Sequence, residues 1–186
     1  RLVDALKQIE GAYSLVCVAD DMLIGVRDPF GVRPLILGQR DNTWILASES
    51  CALDIVGALA VRDLAPGEMV IIDRNGVQSL SPFTAMPSRF CIFEYIYFSR
   101  PDSVVEGRGV YHARKAIGGE LAHEAHIDAD LVIPVPDSGV PAALGYAEAS
   151  GIPFDLGIIR NHYVGRTFIQ PNQKDRTDSV KLKHNA

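Results

Sequence analysis

The rhythm of apolar residues changes once along this chain, and that change constrains the fold more than any other feature. Before residue 81 the apolar residues come in short runs of strand length, broken by turn signals. Residues 13–19 form one run, Asp20 and Asp21 make a turn, and residues 22–26 return, which predicts a hairpin. Residues 28–31, Asp-Pro-Phe-Gly, carry turn chemistry, and 35–37 pairs with 44–46 across 38–42. Residues 51–56 read as one short helix behind a Ser50 cap. Residues 69–73 and 77–80 flank Arg74, Asn75 and Gly76, and Asn-Gly is a strong hairpin signal. A mostly antiparallel sheet fits this half.

Beyond residue 90 the period lengthens. Val110, Ala113, Ile117, Leu121 and Ala125 recur at three- and four-residue steps and mark one face of a helix. Residues 131–135 are a short β-rich run, 136–139 (Pro-Asp-Ser-Gly) a loop, and 141–149 a helix with proline in its first turn and Gly151 after it. Residues 153–159 give the next strand. Helix, strand, loop, helix, strand is the alternation of an α/β domain with a parallel sheet. Ser81, Pro82, Pro87 and Ser88 punctuate the break. The predicted organisation is an α+β domain over 1–80, a linker over 81–90 and an α/β domain over 91–186. Leu2, Val3, Leu6 and Ile9 have helical spacing, so the chain opens in or near a helix, at Arg1 rather than Met. It closes without a helix terminator, and it reads as a segment of a larger protein.

Composition narrows the function classes. Hydrophobic residues at 47% and charged residues at 22% exclude a disordered chain and a coiled coil. No apolar run is long enough to span a membrane, and no secretory leader precedes the first run. The 3 cysteines, Cys17, Cys51 and Cys91, are widely spaced, which argues against a disulfide scaffold and a C-x-x-C zinc site. A reducing, cytoplasmic setting follows as the default. Cys17 and Cys51 read as core thiols. Residues 160–186 hold six basic and two acidic residues, a local charge of +4 in a chain of net charge −5. No basic patch is interleaved with aromatics, which argues against nucleic-acid binding. His123 and His126 lack the i, i+4 spacing of a zinc helix and read as surface residues.

Two segments carry candidate chemistry. The loop 136–139 leaves the carboxyl end of a predicted parallel strand, where ligands of such sheets sit. Asp137, Ser138 and loop N–H groups suit a phosphate or a hydrated cation. The competing reading is that Asp137 or Ser138 merely caps the next helix. Residues 160–171 are basic and irregular, with Gly165 between arginines. Such a segment suits a lid over an anion, because guanidinium forks match phosphate oxygens. The competing reading there is a solvated tail.

Several runs resemble a known family. Residues 91–103 (Cys-Ile-Phe-Glu-Tyr-Ile-Tyr-Phe-Ser-Arg-Pro-Asp-Ser), 110–114, 135–138 and 163–171 (Tyr-Val-Gly-Arg-Thr-Phe-Ile-Gln-Pro) are similar to the glutamine phosphoribosylpyrophosphate amidotransferases. Residues 28–34, 47–52 and 66–68 resemble the glutaminase domain of that family. The resemblance implies the C-terminal part of an N-terminal-nucleophile glutaminase fold, followed by the first part of a type I phosphoribosyltransferase fold. It implies a whole enzyme that makes 5-phosphoribosylamine, glutamate and pyrophosphate from phosphoribosyl pyrophosphate and glutamine, the first committed step of purine biosynthesis. Ser138 then becomes a contributor to a Mg²⁺–substrate site. Tyr163, Gly165, Arg166, Thr167, Phe168 and Gln170 become a substrate lid and ammonia-channel segment. Cys91 matches one of four ligands of a [4Fe–4S] cluster found in some members. Purine nucleotide inhibitors and a homo-oligomer are implied as well. The family nucleophile, an N-terminal cysteine, and the family's acidic substrate signature fall outside these residues, so the segment alone is expected to be inactive. The alternative is a non-catalytic nucleotide- or phosphoribosyl-binding module derived from the same family.

Overall fold

The computed structural model describes residues 1–165 and 172–186 and divides into two compact units, Arg1–Val110 and Tyr111–Ala186. In the first unit, β1 (Ser14–Ala19), β2 (Met22–Arg27), β6 (Met69–Asp73) and β7 (Gly76–Leu80) form an antiparallel sheet in the order β1-β2-β6-β7. A second antiparallel sheet has the order β4-β3-β5, from β3 (Ile36–Arg40), β4 (Thr43–Ala47) and β5 (Leu59–Asp63). The tight turns fall where short acidic side chains tolerate the left-handed region: Asp20 has φ +48° and Asp41 φ +53°.

Strand alternation sorts the core into layers. Leu35 and Leu37 join Leu64 and Val70 in one cluster, which spans the space between the two sheets. Ile36, half a period out of step, turns to the opposite face and packs on Leu53 of α2 (Ser50–Ile55) and on Ala58. Ile24, Val26 and Met69 pack on Leu6 of α1 (Leu2–Leu6) on the outer face of the first sheet. The unit is therefore helix, sheet, sheet, helix. Gly25 permits the sheets to close, since a Cβ there would lie 2.6 Å from a Leu46 methyl.

One buried cation closes this unit. Arg27, 1% exposed, donates to the carbonyls of Arg33 (2.8 Å), Leu64 (2.6 Å) and Gly31 (2.9 Å) and to Glu106 Oε1 (2.5 Å). Asp28 accepts from the N–H groups of Phe30 (3.0 Å) and Val32 (3.1 Å), fixing the 28–34 turn. Two of these acceptors, Gly31 and Arg33, lie in the turn after β2 and the third, Leu64, follows β5, so one buried side chain ties the turn to a strand end.

The sequence places the domain break at 81–90. That segment has no helix or strand, but the compact unit runs on to Val110. The reason is hydrogen bonding back to the sheets: Arg89 N–H donates to Phe30 O (2.8 Å), Cys91 N–H to Val32 O (3.0 Å) and Val104 N–H to Ser50 Oγ (2.8 Å). Residues 91–110 also hold features without a periodic signal, namely a π-helical turn (Glu94–Phe98) and the short pair β8 (Val104–Val105) and β9 (Arg108–Gly109).

In the second unit α3 (Val110–Glu124) and α4 (Val140–Ser150) lie against each other at glycines. A Cβ at Gly118 would lie 1.9 Å from Ala142 O, and one at Gly145 1.9 Å from Lys115 O. Lys115 and Glu148 pair across the two helices at 2.6 Å. Gly151 ends α4 with φ +77°, as its place after the helix predicts. The expected parallel sheet is reduced to one bridge, Val132 to Phe154. Instead, β10 (Ile159–Arg160) pairs antiparallel with β11 (His184–Asn185) behind α5 (Gln173–Lys183).

Other local readings need correction. Ser50 does not cap α2: Glu49 is the N-cap residue, no side chain caps it, and Ser50 lies inside the helix with its hydroxyl accepting from Val104 N–H. β5 and α5 are missed by periodicity, because β5 shows four of five residues exposed and α5 has no buried residue. No described helix is long and apolar enough to cross a membrane.

Candidate functional site

The loop 136–139 begins four residues after the Val132 bridge and feeds α4. Its turn is held by Gly139 N–H to Val135 O (3.2 Å) and Val140 N–H to Asp137 O (3.2 Å). A Cβ at Gly139 would lie 2.7 Å from Val135 O, so the tightness of the loop depends on glycine there. The Pro136–Asp137 peptide is cis. Gly139 is the N-cap of α4, and no side chain caps the helix. The capping reading of Asp137 and Ser138 is thereby set aside, and neither side chain is engaged by the helix.

Asp137 spends its carboxylate on Arg160, 23 residues away in sequence. Arg160 Nη1 donates to Asp137 Oδ2, while Arg160 Nε is buried without a hydrogen-bond partner among the described residues. Ser138 is exposed, and neither its hydroxyl nor its N–H has a partner among the described residues. The structure thus brings together the free hydroxyl and N–H of Ser138 and, across the neighbouring Asp137, a guanidinium held by a single carboxylate. That set has the donor chemistry that suits a multiply charged oxyanion.

The predicted lid starts beside this loop. Asn161 turns the chain after β10: its Oδ1 accepts from Tyr163 N–H (3.0 Å) and its O from Val164 N–H (3.3 Å). Tyr163 is fully exposed and Gly165 is exposed. Arg166, Thr167, Phe168 and Gln170 lie outside the described residues. Arg160 opens the basic segment 160–171 read from the sequence as a candidate lid, though it is not among the individually named site residues. Its basic character was visible, but its pairing with the loop was not.

The metal expectations test differently against the residues. Ser138 offers one oxygen, and Asp137 is committed to Arg160. Among the described residues no group of three or more His, Cys, Asp or Glu side chains could hold a metal ion. A protein-only magnesium site does not fit, whereas a magnesium carried on a substrate's phosphates keeps waters and takes few protein ligands. Cys91 is a half-buried free thiol, as is Cys17, and Cys51 is buried. One thiolate does not fit a four-thiolate cluster.

Sequence reasoning missed a cavity of about 310 Å³ in the first unit, bordered by Tyr13, Arg33, Glu49, Glu94 and Phe98. Glu94, 2% exposed, pairs with Arg33 Nε at 2.5 Å in a contact not directed as a hydrogen bond, and its Oε2 accepts from Ser99 Oγ at 2.8 Å. The Arg33 guanidinium lies 4.7 Å from the centre of the Phe98 ring. Burial first, and then the Asp28 charge, raise the Tyr13 phenol above its ordinary value. Glu49 accepts from Arg100 N–H (2.7 Å) and Ser103 Oγ (2.8 Å). The cavity therefore gathers residues from the runs 28–34, 47–52 and 94–103, which are far apart in sequence. Glu68, from the run 66–68, accepts both arms of the Arg62 fork (2.5 and 2.8 Å), Ser79 Oγ (2.6 Å) and Ala65 N–H (2.7 Å). Burial opposes ionisation of Glu68, but these donors outweigh it and hold the carboxyl below its ordinary value.

Comparison with known proteins finds relatives along the whole chain. The family described as "Glutamine amidotransferase domain" matches residues 1–54. An amidophosphoribosyltransferase from Rhizobium etli is 54% identical over 191 residues, covering 100% of this chain and 38% of its own length. A chloroplastic amidophosphoribosyltransferase from Glycine max is 55% identical, covering 98% of this chain and 32% of its own. The solved structure of the B. subtilis glutamine phosphoribosylpyrophosphate amidotransferase complexed with ADP and GMP superposes with a TM-score of 0.90 at 46% identity. That match covers 100% of this chain and 41% of the solved one.

Proposed function

The chain belongs to the amidophosphoribosyltransferase family and spans 38% of the Rhizobium etli relative, and from that premise we propose that it forms part of an enzyme of the same activity. In this reading the complete polypeptide hydrolyses glutamine and passes ammonia to phosphoribosyl pyrophosphate. The ammonia lone pair attacks C1 of the ribose. The C1–O bond to pyrophosphate breaks, pyrophosphate leaves with the electron pair, and the nitrogen sheds a proton to give 5-phosphoribosylamine. Residues 1–80 act as the C-terminal part of the glutaminase domain, 81–90 as the connection, and 91–186 as the first part of the phosphoribosyltransferase domain.

The observation that carries this reading is the loop 136–139, with Ser138 exposed and unpartnered beside Arg160. Ser138 is assigned to the pyrophosphate and to the Mg²⁺ it carries. That ion would supply charge neutralisation of the leaving group. Tyr163, Gly165, Arg166, Thr167, Phe168 and Gln170 are assigned to a lid that excludes water from ammonia and substrate. A [4Fe–4S] cluster at Cys91 would need its three other thiolates from beyond these residues, and no step is assigned to it. Purine nucleotide inhibition, homo-oligomerisation and a cytoplasmic setting belong to the same reading, supported by the family alone.

The test is glutamine-dependent pyrophosphate release. The complete polypeptide is expected to release pyrophosphate in proportion to glutamine consumed, and residues 1–186 alone to release none. A complete polypeptide that binds phosphoribosyl pyrophosphate without turnover would replace the enzyme with the binding module.

A further inference from the structure

Arg160 is the only cation that pairs with the loop 136–139 among the described residues, and its partner is the Asp137 carboxylate of that loop. Side-chain exposures of 30% for Arg160 and 50% for Asp137 leave the pair open to an incoming ligand. Ser138, the next residue, is unpaired. The carboxylate engages the guanidinium through one oxygen, Oδ2 to Nη1, a contact that a phosphoryl oxygen could equally make. It also places a negative charge where an anionic ligand must arrive.

We propose that Asp137 is a placeholder for the substrate's pyrophosphate: it holds the Arg160 guanidinium beside the loop in the empty site and yields it when the anion binds. The proposal rests on the phosphate-site reading of this loop. Asp137 is a positioning residue here and touches no reacting atom. The exchange is one of partners only: one ion pair opens as another closes. Its consequence is a substrate affinity set below what Ser138 and Arg160 alone would give. The buried, unpartnered Nε of Arg160 keeps the cation dependent on whichever anion occupies its outer edge.

The experiment is calorimetric titration of the complete polypeptide with magnesium pyrophosphate, using wild type, Asp137→Asn, Arg160→Gln and the double variant. Asp137→Asn is expected to bind up to about fivefold more tightly, the upper end for releasing a partly exposed ion pair. Arg160→Gln is expected to bind more weakly, and Asp137→Asn is expected to bring no gain in the Arg160→Gln background. Weaker or unchanged binding by Asp137→Asn overturns the placeholder and leaves the phosphate site standing. An equal gain in both backgrounds also overturns it, because the carboxylate would then act by plain repulsion. Absence of pyrophosphate binding to the wild type removes the site and the placeholder together. Asp137→Ser repeats the test should the Asn variant fail to fold, and thermal melting of each variant establishes that comparison.

Discussion

The two compact units solve opposite problems. The first closes on itself: all three hydrophobic clusters among the described residues lie there, and Arg27 and Glu68 satisfy their buried charges locally. The second leaves its apolar run open. Leu131 is 47% exposed, Ile133 45% and Val135 67%, and Leu156 and Ile159 are exposed as well. Its tightest packing is glycine against backbone between α3 and α4. The first unit has outward apolar side chains too, Val18 and Leu59 among them, but they surround packed clusters, whereas in the second the strand-like run itself is uncovered beside the accessible hydroxyl of Ser138, and such a surface invites association.

The largest effect expected from this contrast is in the closed core. Leu53→Ala should destabilise the first unit by about 2–5 kcal/mol, the range for a leucine truncated in a packed core. Denaturant unfolding followed by Trp44, the sole tryptophan, reports that unit directly. Ile133→Ala in the second unit should cost under about 1 kcal/mol, since the side chain is already half in water. Equal costs at the two sites would erase the distinction.

Gly145→Val attacks the second unit where it is tight. The added side chain meets Lys115 O and must part α3 from α4, at about 1–3 kcal/mol. Loss of helical signal at lower temperature, with Trp44 fluorescence unchanged, would locate the damage in the second unit.

Acid should sharpen the comparison further. The Glu68 carboxyl is lowered from 4.5 in the fold, so its stabilisation is complete above that value and is lost as pH falls through the folded value. Asp63 works the other way. Burial first, and then Glu106, raise it from 3.8, so its ionisation costs stability as pH rises through the carboxylate range. Glu68→Gln should remove about 1–3 kcal/mol at neutral pH and flatten the acid limb of a stability-against-pH curve. An unchanged acid limb would mean that Glu68 is not the group responsible.

Hairpins were legible from sequence because Asp20-Asp21 and Asn75-Gly76 announce turns, and alternation then fixes which side of each strand is buried. The helix α4 was legible from Pro141 and Gly151. Three features were hidden for physical reasons. β5 takes its place by pairing with β3 rather than by burying a face. The π-helical turn is set by packing of Tyr95 and Glu94 rather than by period. The association of 91–110 with the rest of the unit depends on hydrogen bonds that Glu49 and Ser50 accept, which carry no pattern in sequence. At the candidate site, the loop 136–139 is legible because a Pro-Asp-Ser-Gly turn follows a strand-like run, while the role of Ser138 comes from the family resemblance. Arg160 was hidden because its importance comes from a partner 23 residues away.

The most direct test of the account is the Michaelis constant for phosphoribosyl pyrophosphate of the complete polypeptide carrying Ser138→Ala. The hydroxyl is exposed and unpartnered, so thermal stability should change by less than about 0.5 kcal/mol. Loss of one hydrogen bond to a charged ligand should raise the Michaelis constant by about tenfold. An unchanged constant with unchanged stability would contradict the assignment of the loop 136–139 as the anion site.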